Sequence, residues 1–99
     1  MTLLLRDQDR QRLLALMALH LPGIAGRVYG SRASGSAHDA SDLDLALIAP
    51  DAQPISFSQL EDFRQAVNDS NIPILVDARD WARLPRSFHS EIEKAFVQL

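Results

Sequence analysis

The chain contains no cysteine, which removes disulfides, thiolate zinc sites and cysteine nucleophiles at once. It also lacks an excess of basic residues: 10 Lys and Arg stand against 13 Asp and Glu, for a formal net charge of −3 and a pI near 5.4. A surface that holds nucleic acid normally shows a basic stripe, so no direct nucleic-acid partner is expected. Template-directed or RNA-tailing chemistry would need further domains as well. The 99 residues make one domain, 1–99, with a core that is sufficient but not generous. Long apolar runs are missing too. The longest, Leu13 to Gly26, is broken by His20 and Pro22 and falls short of the about 20 residues that span a bilayer. It follows Arg6, Asp7, Asp9, Arg10 and Arg12, which does not fit a signal peptide. The expectation is a soluble cytoplasmic protein with no membrane partner, and 46% apolar and 23% charged residues are ordinary for one.

What the chain does have is concentrated between Val28 and Ile48. An apolar run ends in Gly30-Ser31, ten residues intervene, and Asp42-x-Asp44 opens a second apolar run, Leu43-x-Leu45-x-Leu47-Ile48. In a strand, residues i and i+2 share a face, so Asp42 and Asp44 project together. Two carboxylates side by side cannot both stay ionised cheaply unless a cation sits between them. Hard oxygen ligands of this kind suit Mg²⁺, which completes its shell with water and substrate phosphates. A Gly-Ser turn opposite offers backbone N–H groups and a hydroxyl to a phosphate, with no Cβ at Gly30 to block its approach. Together these describe a metal–nucleotide site. The pattern G-S-x10-D-x-D arises by chance in roughly one chain per thousand of this length, and a solvated pair of turn carboxylates does not explain its apolar flanks.

Taken in order, Asp7 to Leu21 reads as a helix. Leu13, Leu16, Met17, His20 and Leu21 lie on one face, Asp7 or Asp9 caps the start and Pro22-Gly23 ends it. Ile24 to Tyr29 is a strand, and Arg32 to Gly35 forms one helical turn that aims N–H groups at a phosphate. Arg32 either adds a fixed positive charge there or stands as a solvated loop residue; the sequence does not separate the two. Ser36 to Ser41, with His38 and Asp39, is a solvated loop. Asp42 to Ile48 is the second strand, and Ser58-x-x-Glu61 has capping-box form before a helix with Leu60, Phe63 and Val67 on its buried face. Ile72 to Asp77 is the third strand. From Asp80 the chain is helical, with a short turn at Trp81 and Leu84, a break at Pro85, and a helix from Ser87 to Gln98 striped by Phe88, Ile92, Phe96 and Leu99.

The string Gly30-Ser31-Arg32-Ala33-x-Gly35 followed by Ser41-Asp42-Leu43-Asp44-Leu45 resembles the minimal nucleotidyltransferases of the polymerase-β-like superfamily, and within them the antitoxin partners of HEPN-domain toxins. The resemblance runs from about Leu13 to the C-terminus. It departs at Ser34, where the family often carries Arg or Lys. It implies an α+β fold, a small mainly antiparallel or mixed sheet with helices packed on one face. It also implies a third carboxylate on the strand beside D-x-D; Asp77 matches best by position, with Asp80 a rival. Ser31, Asp42, Asp44 and Asp77 then meet at one sheet end if neighbouring strands run antiparallel with the second strand in the middle.

The activity implied is in-line transfer of AMP from ATP with two Mg²⁺ ions. Asp42, Asp44 and Asp77 hold the metals, Asp77 can accept the proton of the incoming hydroxyl, and Gly30, Ser31 and Arg32 grip the departing pyrophosphate. The acceptor implied is a tyrosine of a HEPN ribonuclease toxin, which transfer neutralises. Two rivals remain at this point: an antitoxin that acts by contact alone, and transfer to a small molecule. Arg83-x5-His89 matches the spacing of the HEPN nuclease motif only superficially, because Pro85 interrupts the helix that motif requires.

Overall fold

The computed structural model describes residues 5–35 and 42–99; His38, Asp39 and Ser41 lie outside them. Helix α1 (Asp7–His20) is followed by strand β1 (Ala25–Tyr29), the single turn α2 (Ser31–Ser34) and strand β2 (Leu43–Ile48). Helix α3 (Phe57–Asn68), strand β3 (Val76–Asp80), helix α4 (Arg86–Lys94) and the short strand β4 (Val97–Gln98) complete the chain. The strands form one mixed sheet in the order β3-β2-β1-β4.

Alternation within β2 divides the core in two. Leu43, Leu45 and Leu47 point to one face, where Leu13 and Met17 of α1, Leu60, Phe63 and Val67 of α3, and Val28 and Ala78 of the neighbouring strands close over them. Ala46 points to the other face, beneath Trp81, Ile92 and Phe96. The expectation of helices on one face therefore holds for α1 and α3, whereas α4 covers part of the opposite face. Its apolar stripe needs a surface to bury against, and the first face is already occupied. Trp81 and His89 stack with ring centroids 3.9 Å apart, and His89 Nε2 lies 2.7 Å from the Trp81 carbonyl, which pins α4 in place. Arg83 is turned instead to Asp80 and to the Ile55 carbonyl, so Arg83 and His89 serve separate structural contacts.

Two expectations about the sheet are corrected. Strand β3 starts at Val76 rather than Ile72, because Pro73 has no N–H for a ladder while Ile72 and Ile74 pack against the core from outside it. And β3 runs parallel to β2, not antiparallel, with Leu43 paired to Val76 and Asp44 to Asp77. The cause is α3: a strand, a helix and a strand in succession return the chain to the end where it began. Asp77 is thus near the start of its strand, as Asp44 is near the start of β2. Strand β1, antiparallel to β2, finishes at that same end.

The C-terminus also departs from expectation. Helix α4 stops at Lys94, and Ala95 is extended. Val97 and Gln98 pair with β1, and the Leu99 N–H donates to the Gly26 carbonyl at 2.9 Å. Without β4, the outer edge of β1 would present unpaired backbone groups, and satisfying them outweighs continuing the helix.

The cap of α3 is Ser56 rather than Ser58: its hydroxyl accepts from the Gln59 N–H at 3.2 Å, and Ser56-x-x-Gln59 takes the place of Ser58-x-x-Glu61. Ser56→Ala is expected to lower stability by about 1 kcal/mol. Ser58→Ala should leave the midpoint of urea unfolding within experimental scatter. Helix α1 has no side-chain cap at Arg6; Asp9 is buried and held instead by the Arg6 guanidinium at 2.7 and 3.1 Å.

Candidate active site

Residues paired across adjacent strands project to the same side of a sheet. Tyr29 pairs with Asp44 and Asp44 with Asp77, so the three form a row across β1, β2 and β3. The row lies on the face that α4 covers only in part. Asp42 stands exposed just before β2, close enough to act on Asp44. Burial holds the Asp44 carboxyl above the usual carboxylate range, Asp77 and Asp42 push it further, and Arg79 opposes them. Burial likewise raises the Tyr29 hydroxyl, with Asp44 and Asp77 adding to the effect and Arg79 again working against it. Negative charge is thus crowded at one spot of the sheet.

One cation of the protein already answers it. Arg79, two residues beyond Asp77 on the same face of β3, holds Asp77 Oδ2 with its Nε at 3.2 Å and its second guanidinium nitrogen at 3.0 Å. Asp80, the rival third carboxylate, is elsewhere. It is buried and accepts from the N–H groups of Ile55 at 3.0 Å and Ala82 at 3.2 Å, tying the start of α3 to the end of β3.

Gly30 borders the row. It adopts φ 74°, ψ −153°, a region open essentially to glycine, and any Cβ there would overlap the Asp44 carboxylate. Its carbonyl accepts from the N–H groups of Ala33 and Ser34 at 3.1 and 3.0 Å. The polypeptide therefore turns from β1 into α2 with its backbone pressed against the Asp44 carboxylate. Beside it is a cleft of about 260 Å³ lined by Tyr29, Gly30, Ser34, Glu91 and Ala95.

Of the residues singled out in the sequence, Asp42, Asp44, Asp77 and Gly30 come together, with Ser31 half-buried at the head of α2. Arg32 does not join them. It is buried and lines a separate cleft of about 390 Å³ with Arg6, Asp9, Pro73 and Ile74. Sequence reasoning passed over Tyr29, Arg79 and Glu91. The i+2 spacing of Asp77 and Arg79 was a readable signal, whereas Glu91 reaches the cleft only through the packing of α4.

The match to a family model decides the lineage: residues 24–99 fit Polymerase beta, Nucleotidyltransferase. The chain belongs to the polymerase beta nucleotidyltransferase family. Every residue of the row falls within the matched segment. A probable protein adenylyltransferase, MntA, of Haemophilus influenzae is 38% identical over 69 residues. That alignment takes in 70% of this chain, and the chain spans 59% of the length of that relative. Two solved structures share the nucleotidyltransferase fold. A toxin–antitoxin crystallised with AMP-PNP superposes with a TM-score of 0.73 at 20% identity, over 89% of this chain and 69% of the other. A mutant form of the toxin–antitoxin MntA–HpeT gives a TM-score of 0.73 at 21% identity, over 91% and 70%.

Proposed function

We propose that this chain is a nucleotidyltransferase antitoxin that moves AMP from ATP, with Mg²⁺, onto a tyrosine of a HEPN ribonuclease toxin and so silences it. The observation that carries the reading is the row of Asp44 and Asp77 beside Asp42, set against a turn whose glycine admits no side chain. Family membership supports the reaction class. The adenylyltransferase relative and the toxin–antitoxin structures of like fold support AMP as the group moved and a toxin as the acceptor. In this reading the protein works in the cytoplasm, where ATP is supplied.

The donor set fits Mg²⁺. Among the described residues no three acidic or imidazole side chains cage a cation by themselves, and Mg²⁺ does not ask for that, since it binds one or two carboxylates and takes phosphate oxygens and water for the rest. Asp42 and Asp44 would hold it, with Asp77 alongside. A bound Mg²⁺ supplies charge neutralisation at the phosphates. The chain's own residues do the positioning. Asp77 takes the proton of the acceptor hydroxyl as its oxygen bonds to the α-phosphorus. The bond to the bridging oxygen breaks, and pyrophosphate leaves with that electron pair towards Gly30 and Ser31.

The test is to incubate the protein with ATP, Mg²⁺ and a HEPN toxin and follow intact mass. Wild type is expected to add one or more AMP units and to silence the ribonuclease. Asp42→Asn/Asp44→Asn should still bind the toxin, because two isosteric changes are a small part of the broad surface a protein partner covers, and should leave its mass unchanged. Equal protection of cells by the double variant at matched expression would make contact alone sufficient and sink the enzymatic reading.

A further inference from the structure

In-line displacement keeps the attacking and leaving oxygens on opposite sides of the phosphorus. The row fixes which sides these are. Gly30 and Ser31 follow β1, Asp44 stands on β2 and Asp77 on β3. A pyrophosphate that leaves over the β1 side therefore obliges the acceptor oxygen to approach over Asp77. Strand β3 is an edge of the sheet, and among the described residues no further strand lies beyond it. The approach is bordered instead by the side chains that β3 and α4 present around Asp77.

That border is apolar. The Leu75 carbonyl accepts from the Leu43 N–H at 2.8 Å, which extends the pairing with β2 one residue ahead of β3. The two-residue repeat then sets Leu75, Asp77 and Arg79 on one face. Leu75 is 67% exposed, although Ile74 and Val76 on either side of it pack against the core. Phe88 of α4 is 39% exposed, with its ring centroid 5.9 Å from the Arg79 guanidinium that holds Asp77. Two exposed apolar side chains thus flank one carboxylate. The other large exposed apolar residues among those described, Leu14, Leu19 and Phe57, belong to α1 and α3, which cover the opposite face of the sheet. A hydroxyl carried on an aromatic ring suits such a border, since the apolar body and the polar tip of the group are satisfied separately. A polyhydroxylated small molecule gains nothing from it.

We propose, on the reading of the row as the site of AMP transfer, that Leu75 and Phe88 are specificity-determining residues for the acceptor. They seat the ring of a partner protein's tyrosine and hold its hydroxyl at Asp77. The tyrosine oxygen bonds to the α-phosphorus as its proton passes to Asp77. The bond to the bridging oxygen breaks, and pyrophosphate carries that electron pair away on the β1 side.

The test follows transfer by intact mass over a range of concentrations of a HEPN toxin. Leu75→Ser/Phe88→Ser is expected to raise the KM for the toxin about tenfold, the worth of losing anchor contacts at a protein interface. Binding of AMP-PNP with Mg²⁺, measured by calorimetry without toxin, should stay at the wild-type value, because the phosphates lie on the other side of Asp44. Leu75→Met/Phe88→Tyr keeps the apolar bodies and should restore the KM. Leu19→Ser, on the far face, should change neither quantity, and far-UV circular dichroism of every variant should match wild type. An unchanged KM in the double serine variant overturns the proposal, as does a matching loss of AMP-PNP affinity. A dimer of the protein alone that only the serine variant loses, by sedimentation, assigns the patch to a second copy and overturns it likewise. Wild type that transfers no AMP to the toxin marks failure of the underlying reading. Wild type that transfers while the serine variant equals it marks failure of the acceptor seat alone.

Discussion

Asp44→Asn is expected to cut AMP transfer by at least about 10³-fold, the scale of losing one preorganised charge-stabilising contact at a reacting centre, while leaving the fold intact and the neutral-pH protein slightly more stable. The sign follows from the crowding. The folded protein raises the Asp44 pKa above its ordinary 3.8 through burial, Asp77 and Asp42, so it favours the protonated carboxyl. Stability from this group is full below that ordinary value and falls as pH rises through the raised folded value. At pH 7 the ionised Asp44 is therefore a burden that asparagine lacks, although solvent screening keeps the effect small. Thermal unfolding of variant and wild type should show the gain at pH 7 and its disappearance below about pH 3.8. Normal turnover by Asp44→Asn, or a variant less stable than wild type at neutral pH, would contradict the assignment.

Gly30→Val is expected to destroy nucleotide binding and to cost about 1–3 kcal/mol of stability, because φ 74°, ψ −153° is a conformation that only glycine adopts without strain. The structure sharpens the reason for the binding loss. A Cβ at Gly30 overlaps the Asp44 carboxylate, so the variant displaces the group proposed to hold Mg²⁺ as well as filling the space proposed for phosphate. Gly30→Ala isolates that effect, since it adds the Cβ without a branch. Ser31→Ala removes one hydroxyl and keeps the backbone donors, and should weaken binding less. Calorimetry with ATP and Mg²⁺ is the check; wild-type affinity in Gly30→Val would remove the nucleotide from this turn.

Patterns carried by neighbouring residues were readable from the chain alone. Helix α1 is bounded by its 3.6-residue period and by Pro22-Gly23. The face shared by Asp42 and Asp44 follows from the two-residue repeat of β2, and Leu60, Phe63 and Val67 mark the buried side of α3. At position 30 the sequence argues against a side chain on account of a phosphate, and the structure adds a second reason, the Asp44 carboxylate. Asp44 stands on the next strand, and no local rule brings it there.

Everything that depended on a choice between distant partners was left to the tertiary structure. Val97 and Gln98 read as helix because their period continues that of α4, yet an open edge of β1 gains more from their backbone groups than the helix does. The parallel course of β3 comes from the return through α3. Helix α4 crosses to the second face because α1 and α3 had filled the first. Tyr29 and Arg79 join the carboxylates, and Arg32 turns to another cleft, for the same cause. Composition and periodicity determine which side of an element is buried. Which elements meet, in what direction and around which charges, is decided by backbone pairing and volume, and these are properties of the assembled sheet.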